Sequence, residues 1–128
     1  MPPDLSPEYL QIHAALRDCY DPNLPCNIID LGYLQSLIVT EDPDAPGAGI
    51  PGVPPRHSVS VTLTPALEDD TSEAHLRTQV LNRLAGLETV SRAEVHFLYA
   101  PAWSPVRISP LGRRTLGLDG NRNLVQLR

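Results

Sequence analysis

Apolar residues recur along this chain with two different periods, and the switches between them outline its elements. Tyr9, Ile12 and Leu16 fall at i, i+3 and i+7, flanked by Ala15 and Cys19, which is the stripe of an amphipathic helix. Ser6-Pro7-Glu8 supplies the start: a hydroxyl cap, a proline where no amide donor is missed, and a carboxylate at the positive end of the dipole. This helix is expected to run to about Asp18, because Asp21-Pro22 forbids its continuation. Period two then takes over. Leu34 to Thr40 is rich in apolar and β-branched residues, and Ser58 to Thr64 alternates, with Val59, Val61 and Leu63 on one face. Thr62 and Thr64 fall on the other face, which is taken as solvated. A second helix is expected over Thr71 to Ala85, where Leu76, Val80 and Leu84 repeat every four residues behind Asp70 and Glu73 at capping-box spacing. Ala93, Val95, Phe97 and Tyr99 mark a third strand, ended by Pro101. A short helix is expected from Ile108, followed by a tail that frays from about residue 118. Two helices can cover only one face of so small a sheet. The expected fold is therefore α+β: a two-layer sandwich in the order helix, strand, strand, helix, strand, with a small mixed sheet and its helices on one face.

Between the first two strands lie residues 41–57, dense in proline and glycine, a composition that cannot pair regularly and predicts a long mobile hairpin loop. The other proline-rich stretch, Asp21-Pro-Asn-Leu-Pro-Cys-Asn27, has two prolines within four residues and is expected to form a stiff turn. With 128 residues, 41% apolar, the chain is the size of a single domain spanning residues 1–128.

Charge and cysteine content narrow the chemistry. A formal net charge of -5 lacks the cationic footprint that nucleic-acid binding needs. All 10 basic residues are arginine, so Schiff-base chemistry and a lysine general base are excluded. No run approaches the ~18 apolar residues of a membrane span, and the first residues lack the pattern of a secretory signal, so a soluble cytoplasmic protein is expected. Two cysteines, Cys19 and Cys26, suit a reducing compartment, and their positions within or beside apolar runs favour core packing. The four histidines, His13, His57, His75 and His96, have no ligand spacing and are read as exposed. No phosphate loop, nucleophile elbow or paired-carboxylate constellation occurs, and no catalytic residue is assigned. Asp21 and Asp30 bracket the proline turn, where carboxylates accept backbone amides or hold a hard cation. Glu68-Asp69-Asp70 concentrates negative charge at the amino end of the second helix and suits capping.

Three segments together resemble one family. Asp21-Pro-Asn-Leu-Pro-Cys-Asn-Ile-Ile-Asp-Leu-Gly32 is similar to an opening signature of the form Asp-Pro-Glu-x-Pro followed by an Asn-Ile-Val-Asp-Leu-Gly type run. Val59-Ser-Val-Thr-Leu-Thr-Pro65 resembles the second-strand motif, and Pro101-Ala-Trp-Ser-Pro105, with Ile108-Ser109 and Gly112-Arg113, resembles the Pro-x-Trp-(Thr/Ser)-Pro segment and the helix after it. The family is the SufT/PaaD-type iron–sulfur cluster assembly domain, and the likeness covers roughly residues 6 to 117. It implies a small α+β domain that matures iron–sulfur proteins, carrying a cluster or docking a carrier onto a client, without turnover of its own. Its implied partners are iron–sulfur assembly proteins or client apoproteins, and it admits a homodimer. The implied working surface is Asp21, Asp30, Thr62, Thr64, Glu68 and Trp103.

One departure changes that picture. The family follows its second threonine with a Pro-Gly-Cys-Pro type turn, whereas this chain reads Thr64-Pro-Ala-Leu-Glu68. Glu68 thus stands where the cysteine is expected, and a carboxylate is a hard donor that cannot replace a thiolate for a cluster or persulfide. The expectation is an accessory factor acting mainly by docking, with no resident cofactor and a transient iron–sulfur cluster as the one candidate cargo. Cys26 is the one candidate metal ligand. A thiol-dependent carrier or redox protein using Cys26, and a structural subunit of an oxygenase-type complex, are the alternatives.

Overall fold

A computed structural model describes residues 6–118. The first helix, α1 (Pro7–Leu16), starts where the sequence places it: the Ser6 side chain accepts the Tyr9 amide, and Pro7 opens the first turn. Its buried stripe is Ile12, Ala15 and Leu16. Three strands follow, β1 (Leu34–Glu41), β2 (His57–Leu63) and β3 (Val90–Phe97), with α2 (Asp70–Ala85) between the last two. A 3-10 turn (Pro105–Arg107) and the short α3 (Pro110–Thr115) close the described chain, as expected from Ile108 onward. The fraying expected from about residue 118 falls on residues 119–128, outside the described residues.

The sheet order is β1-β2-β3, with β1 antiparallel and β3 parallel to β2. The fold is the expected α+β arrangement, a mixed sheet covered on one face by helices. Two bulges make the core face continuous. Leu34 pairs with Leu63 but Ser36 pairs with Thr62, so Gln35 is the extra residue. That insertion lets Leu34 and Leu37, three apart in sequence, both reach the core. A second register shift, between the His57–Val90 and Ser58–Arg92 pairs, does the same for Val90 and Ala93. Val59, Val61 and Leu63 of the central strand are fully buried against Leu76, Val80 and Leu84 of α2 and Ile12 and Leu16 of α1. Each such aliphatic side chain contributes about 1.5–3 kcal/mol relative to an exposed one.

Several local expectations need correction. Helix α2 is capped by Asp69, whose side chain accepts from the Ser72 amide at 2.9 Å, rather than by an Asp70–Glu73 box. With Asp69 as the cap, Glu73 falls one residue past the box position, and its carboxylate accepts from the Tyr99 hydroxyl. Strand β3 begins three residues earlier than the alternation indicated, because the second bulge breaks strict period two at Ser91. His57 is buried, not an exposed loop residue: it is the first residue of β2, held between Glu41 and Val90. The segment between β1 and β2 is the expected hairpin connection, built as a chain of turns. Its neck is closed by the Asp42 amide on the Arg56 carbonyl at 2.8 Å, and the buried Asp42 carboxylate accepts the Ser91 hydroxyl at 2.6 Å.

Candidate functional site

The proline turn after α1 is stiff because its own side chains tie it. Asp21 Oδ2 accepts the amides of Asn23 and Leu24 at 2.7 and 2.8 Å, the Asx turn that its place before Pro22 favours. The Tyr20–Asn27 bridge and the Asp21 amide on the Cys26 carbonyl, 3.3 Å, fold the turn back on itself. Asp21 Oδ1 accepts the hydroxyl of the fully buried Tyr33 at 2.8 Å. Burial, reinforced by the Asp21 carboxylate, holds that phenol well above its ordinary value, so Tyr33 stays a neutral donor.

Thr64 lies next to this pair. Strand β2 ends at Leu63, and the Thr64 amide donates to the Tyr33 carbonyl at 2.7 Å. The change of direction carries the threonine into the interior. It is 0% exposed, not on a solvated face as the strand alternation implied, and its hydroxyl has no hydrogen-bond partner among the described residues. A buried hydroxyl left unpaired costs about 1–3 kcal/mol.

Helix α2 starts beside the same sheet end. Asn23 Nδ2 reaches the Ser72 hydroxyl at 3.4 Å, which itself donates to the cap Asp69, so the proline turn and the helix start form one polar network. Across the α2 start, Glu73 holds Tyr99, whose hydroxyl is raised by burial, then by Glu73, Glu68 and Asp70. The Arg77 guanidinium lies over Phe97 at 5.0 Å. Glu68, the residue at the expected cysteine position, is exposed, and so is Leu67 beside it.

Of the six surface residues expected, the structure gathers Asp21 and Thr64 around Tyr33, with Trp103 behind them. Trp103 donates its indole N–H to the Leu31 carbonyl at 2.7 Å and meets Tyr33 edge-on at 5.9 Å, so it props the site and is half-buried. Glu68 sits on the rim near Tyr99. Thr62 points away, on the uncovered sheet face between Ser36 and His96. Asp30 is buried and fully engaged elsewhere: its carboxylate accepts from Arg17 at 2.9 Å, Ser109 at 2.8 Å and Asn27 at 2.7 Å. It joins α1, the proline turn and α3, which is a structural part.

Cys26 reaches the site but not its surface. It is 1% exposed, and burial, then the Asp30 carboxylate, raises its thiol above the ordinary value. Cys19 is equally buried and is pushed up to about 11, chiefly by burial. Both are free thiols. Among the described residues no group of three or more His, Cys, Asp or Glu could hold a metal ion, and no helix is long and apolar enough to cross a membrane. Sequence reasoning missed Tyr33, Tyr99 and Ser72. A tyrosine directly after Asp-Leu-Gly was the one available signal, and its meaning depended on Asp21 folding back over twelve residues.

No family model matches the chain, and no curated protein matches it. Solved structures share its small α+β fold. A domain of unknown function, DUF59, from Bacillus anthracis superposes with a TM-score of 0.66 at 23% identity, covering 85% of this chain and 91% of that one. A conserved hypothetical protein from Thermotoga maritima gives 0.59 at 21% identity, covering 91% and 99%. A Mycobacterium tuberculosis protein described as associated with iron–sulfur complex assembly and repair gives 0.50 at 22% identity, covering 94% of each.

Proposed function

We propose that this protein is an accessory factor in the maturation of iron–sulfur proteins, working by docking onto assembly proteins or client apoproteins and not by catalysis. The observation that carries the reading is a conjunction. The chain shares its fold with a protein associated with iron–sulfur complex assembly and repair, while its own two thiols are buried with raised pKa values and an exposed glutamate stands where the resembling family has a cysteine. A thiolate is the species that ligates a cluster or attacks sulfur. Groups held as buried thiols, and a hard carboxylate in the exposed position, leave recognition as the task the sheet end can perform. The Asp21–Tyr33 pair and the α2 start supply a rigid polar frame for it, with Glu68 and Leu67 on the rim.

Two measurements test this. Removing the protein from its host is expected to lower the iron and acid-labile sulfide content of at least one iron–sulfur client, with restoration by the wild type. Unchanged cluster loading in every client would refute the assignment to maturation. Anaerobic reconstitution of the purified chain is expected to leave it without stoichiometric cluster, whereas Glu68→Cys gains bound iron. Stoichiometric cluster on the wild type, lost in Cys26→Ala, would make it a carrier and overturn the docking reading.

A further inference from the structure

Strand β3 forms one edge of the sheet. The Leu98 amide donates to the Leu63 carbonyl at 2.9 Å, which sets the phase of the parallel ladder with β2. Glu94 and His96 therefore bond to β2 through their backbone, while the N–H and C=O groups of Ala93, Val95 and Phe97 point outward. Among the described residues these outward groups have no hydrogen-bond partner. Such an edge is a template for another strand unless it is covered or broken. It carries no proline or lysine, and its bulge lies at its first residues. A cavity lies beside it. On α2, Gln79 and Arg83 turn toward the end of α1, where they bond Tyr20 and Asp18. Leu81 and Ala85 face the other way, and with Val90 and Ala93 of β3 they line a cavity of about 270 Å³. Leu81 is half-buried and Ala85 exposed, so the cavity opens beside the strand.

We infer that β3 is the seam of a symmetric dimer, in which two copies of this chain pair antiparallel about a twofold axis through Val95. In that register Val95 meets Val95 of the second copy and Ala93 meets its Phe97, each pair joined by the outward N–H and C=O groups. Ala93 and Phe97 both stand on the helix-covered face, opposite Val59 and Leu63. The half-buried phenyl ring of the second copy thus lies over the small Ala93, in the cavity. On the uncovered face the exposed Glu94 meets His96 of the second copy, an opposite-charge pair repeated by the symmetry. Moving the axis by one residue sets Glu94 against Glu94 or His96 against His96, which like charge disfavours. Moving it by two runs the ladder into the bulge at Ser91 or past the strand end at Phe97. Charge and volume select the same register. The proposal stands apart from the docking reading: a monomeric chain would overturn it and leave that reading as it was.

Sedimentation equilibrium of the full chain across the micromolar range tests it, and a mass twice that of one chain is expected. His96→Glu should weaken association about tenfold, and adding Glu94→Arg to it should restore the wild-type value. Ala85→Leu, which fills the cavity without touching charge, should weaken association about tenfold as well. All three positions are exposed, so the fold survives, and the spread of amide signals verifies it. A mixture of Glu94→Cys and His96→Cys chains reads the register: facing residues in such a pair lie about 4.5 Å apart, within reach of a disulfide, so the mixture should cross-link under mild oxidation and neither chain alone. Cys19 and Cys26 are buried and do not compete. A monomer throughout the range, a dimer indifferent to His96→Glu or to Ala85→Leu, or cross-linking of the Glu94→Cys chain with itself would each overturn the proposal.

Discussion

Replacing Asp30 by asparagine keeps its shape and removes its charge, and the surrounding bonds set the cost. Three side chains donate to this carboxylate, from Asn27, Ser109 and Arg17, at 2.7, 2.8 and 2.9 Å. Hydrogen bonds to a charged group contribute about 1.5–3 kcal/mol each, and loss of one partner from a buried ion pair costs about 3–5 kcal/mol. An asparagine retains one acceptor oxygen, which Ser109 and Arg17 can share, but turns an amide donor toward the Asn27 amide donor. The Arg17 side chain is 44% exposed and regains water when released, which lowers the penalty. The expected loss is about 2–3 kcal/mol at pH 7. Burial raises the pKa of Asp30, but the bonds from Asn27, Ser109 and Arg17 outweigh it and hold the carboxyl below the ordinary 3.8. A depressed folded-state pKa adds stability that is complete above the ordinary value and fades as pH falls through the folded one. Urea unfolding of wild type and Asp30→Asn between pH 7 and pH 2.5 should therefore show a gap that is constant down to about pH 4.5 and narrows below it. A gap under about 0.5 kcal/mol at pH 7, or one that persists unchanged at the acid end, would refute the assignment of Asp30 as the charged tie between α1, the proline turn and α3.

Other substitutions test neighbouring parts of the argument. A Cβ at Gly112 would lie 2.8 Å from the Asp30 carbonyl oxygen and 2.9 Å from Ile108 Cγ2, so Gly112→Ala should cost about 1–3 kcal/mol in chemical denaturation, and a neutral result would mean that α3 does not dock as described. Thr64→Val removes a buried hydroxyl without a partner and should leave thermal stability unchanged or raise it by up to about 1 kcal/mol; a loss above that would show that the hydroxyl is paired. Thiol labelling at pH 8 should find neither Cys19 nor Cys26 in the folded protein and both after denaturation, with fast labelling of either in the native state reviving a thiol mechanism.

The pattern of the sequence determined the elements and their order because each depends on local periods. The i, i+4 repeat of Leu76, Val80 and Leu84 and the alternation through Val59, Val61 and Leu63 are the two faces that meet in the core. The Ser6 cap and the Asp21 turn are local as well, so both were legible. Tertiary structure alone decided what the single-residue shifts did. The bulges at Gln35 and Ser91 bring Leu34 and Val90 inward, where strict alternation sent them outward. The second helix starts one residue earlier than the box spacing indicated, so Asp69 caps it and Glu73, past the box position, bonds Tyr99, distant in sequence. Asp30 and Thr64 show the limit most clearly. Both read as surface residues along the chain, yet one is closed in by Arg17 and Ser109 and the other by the turn against Tyr33, because burial is set by what the rest of the chain packs over a position.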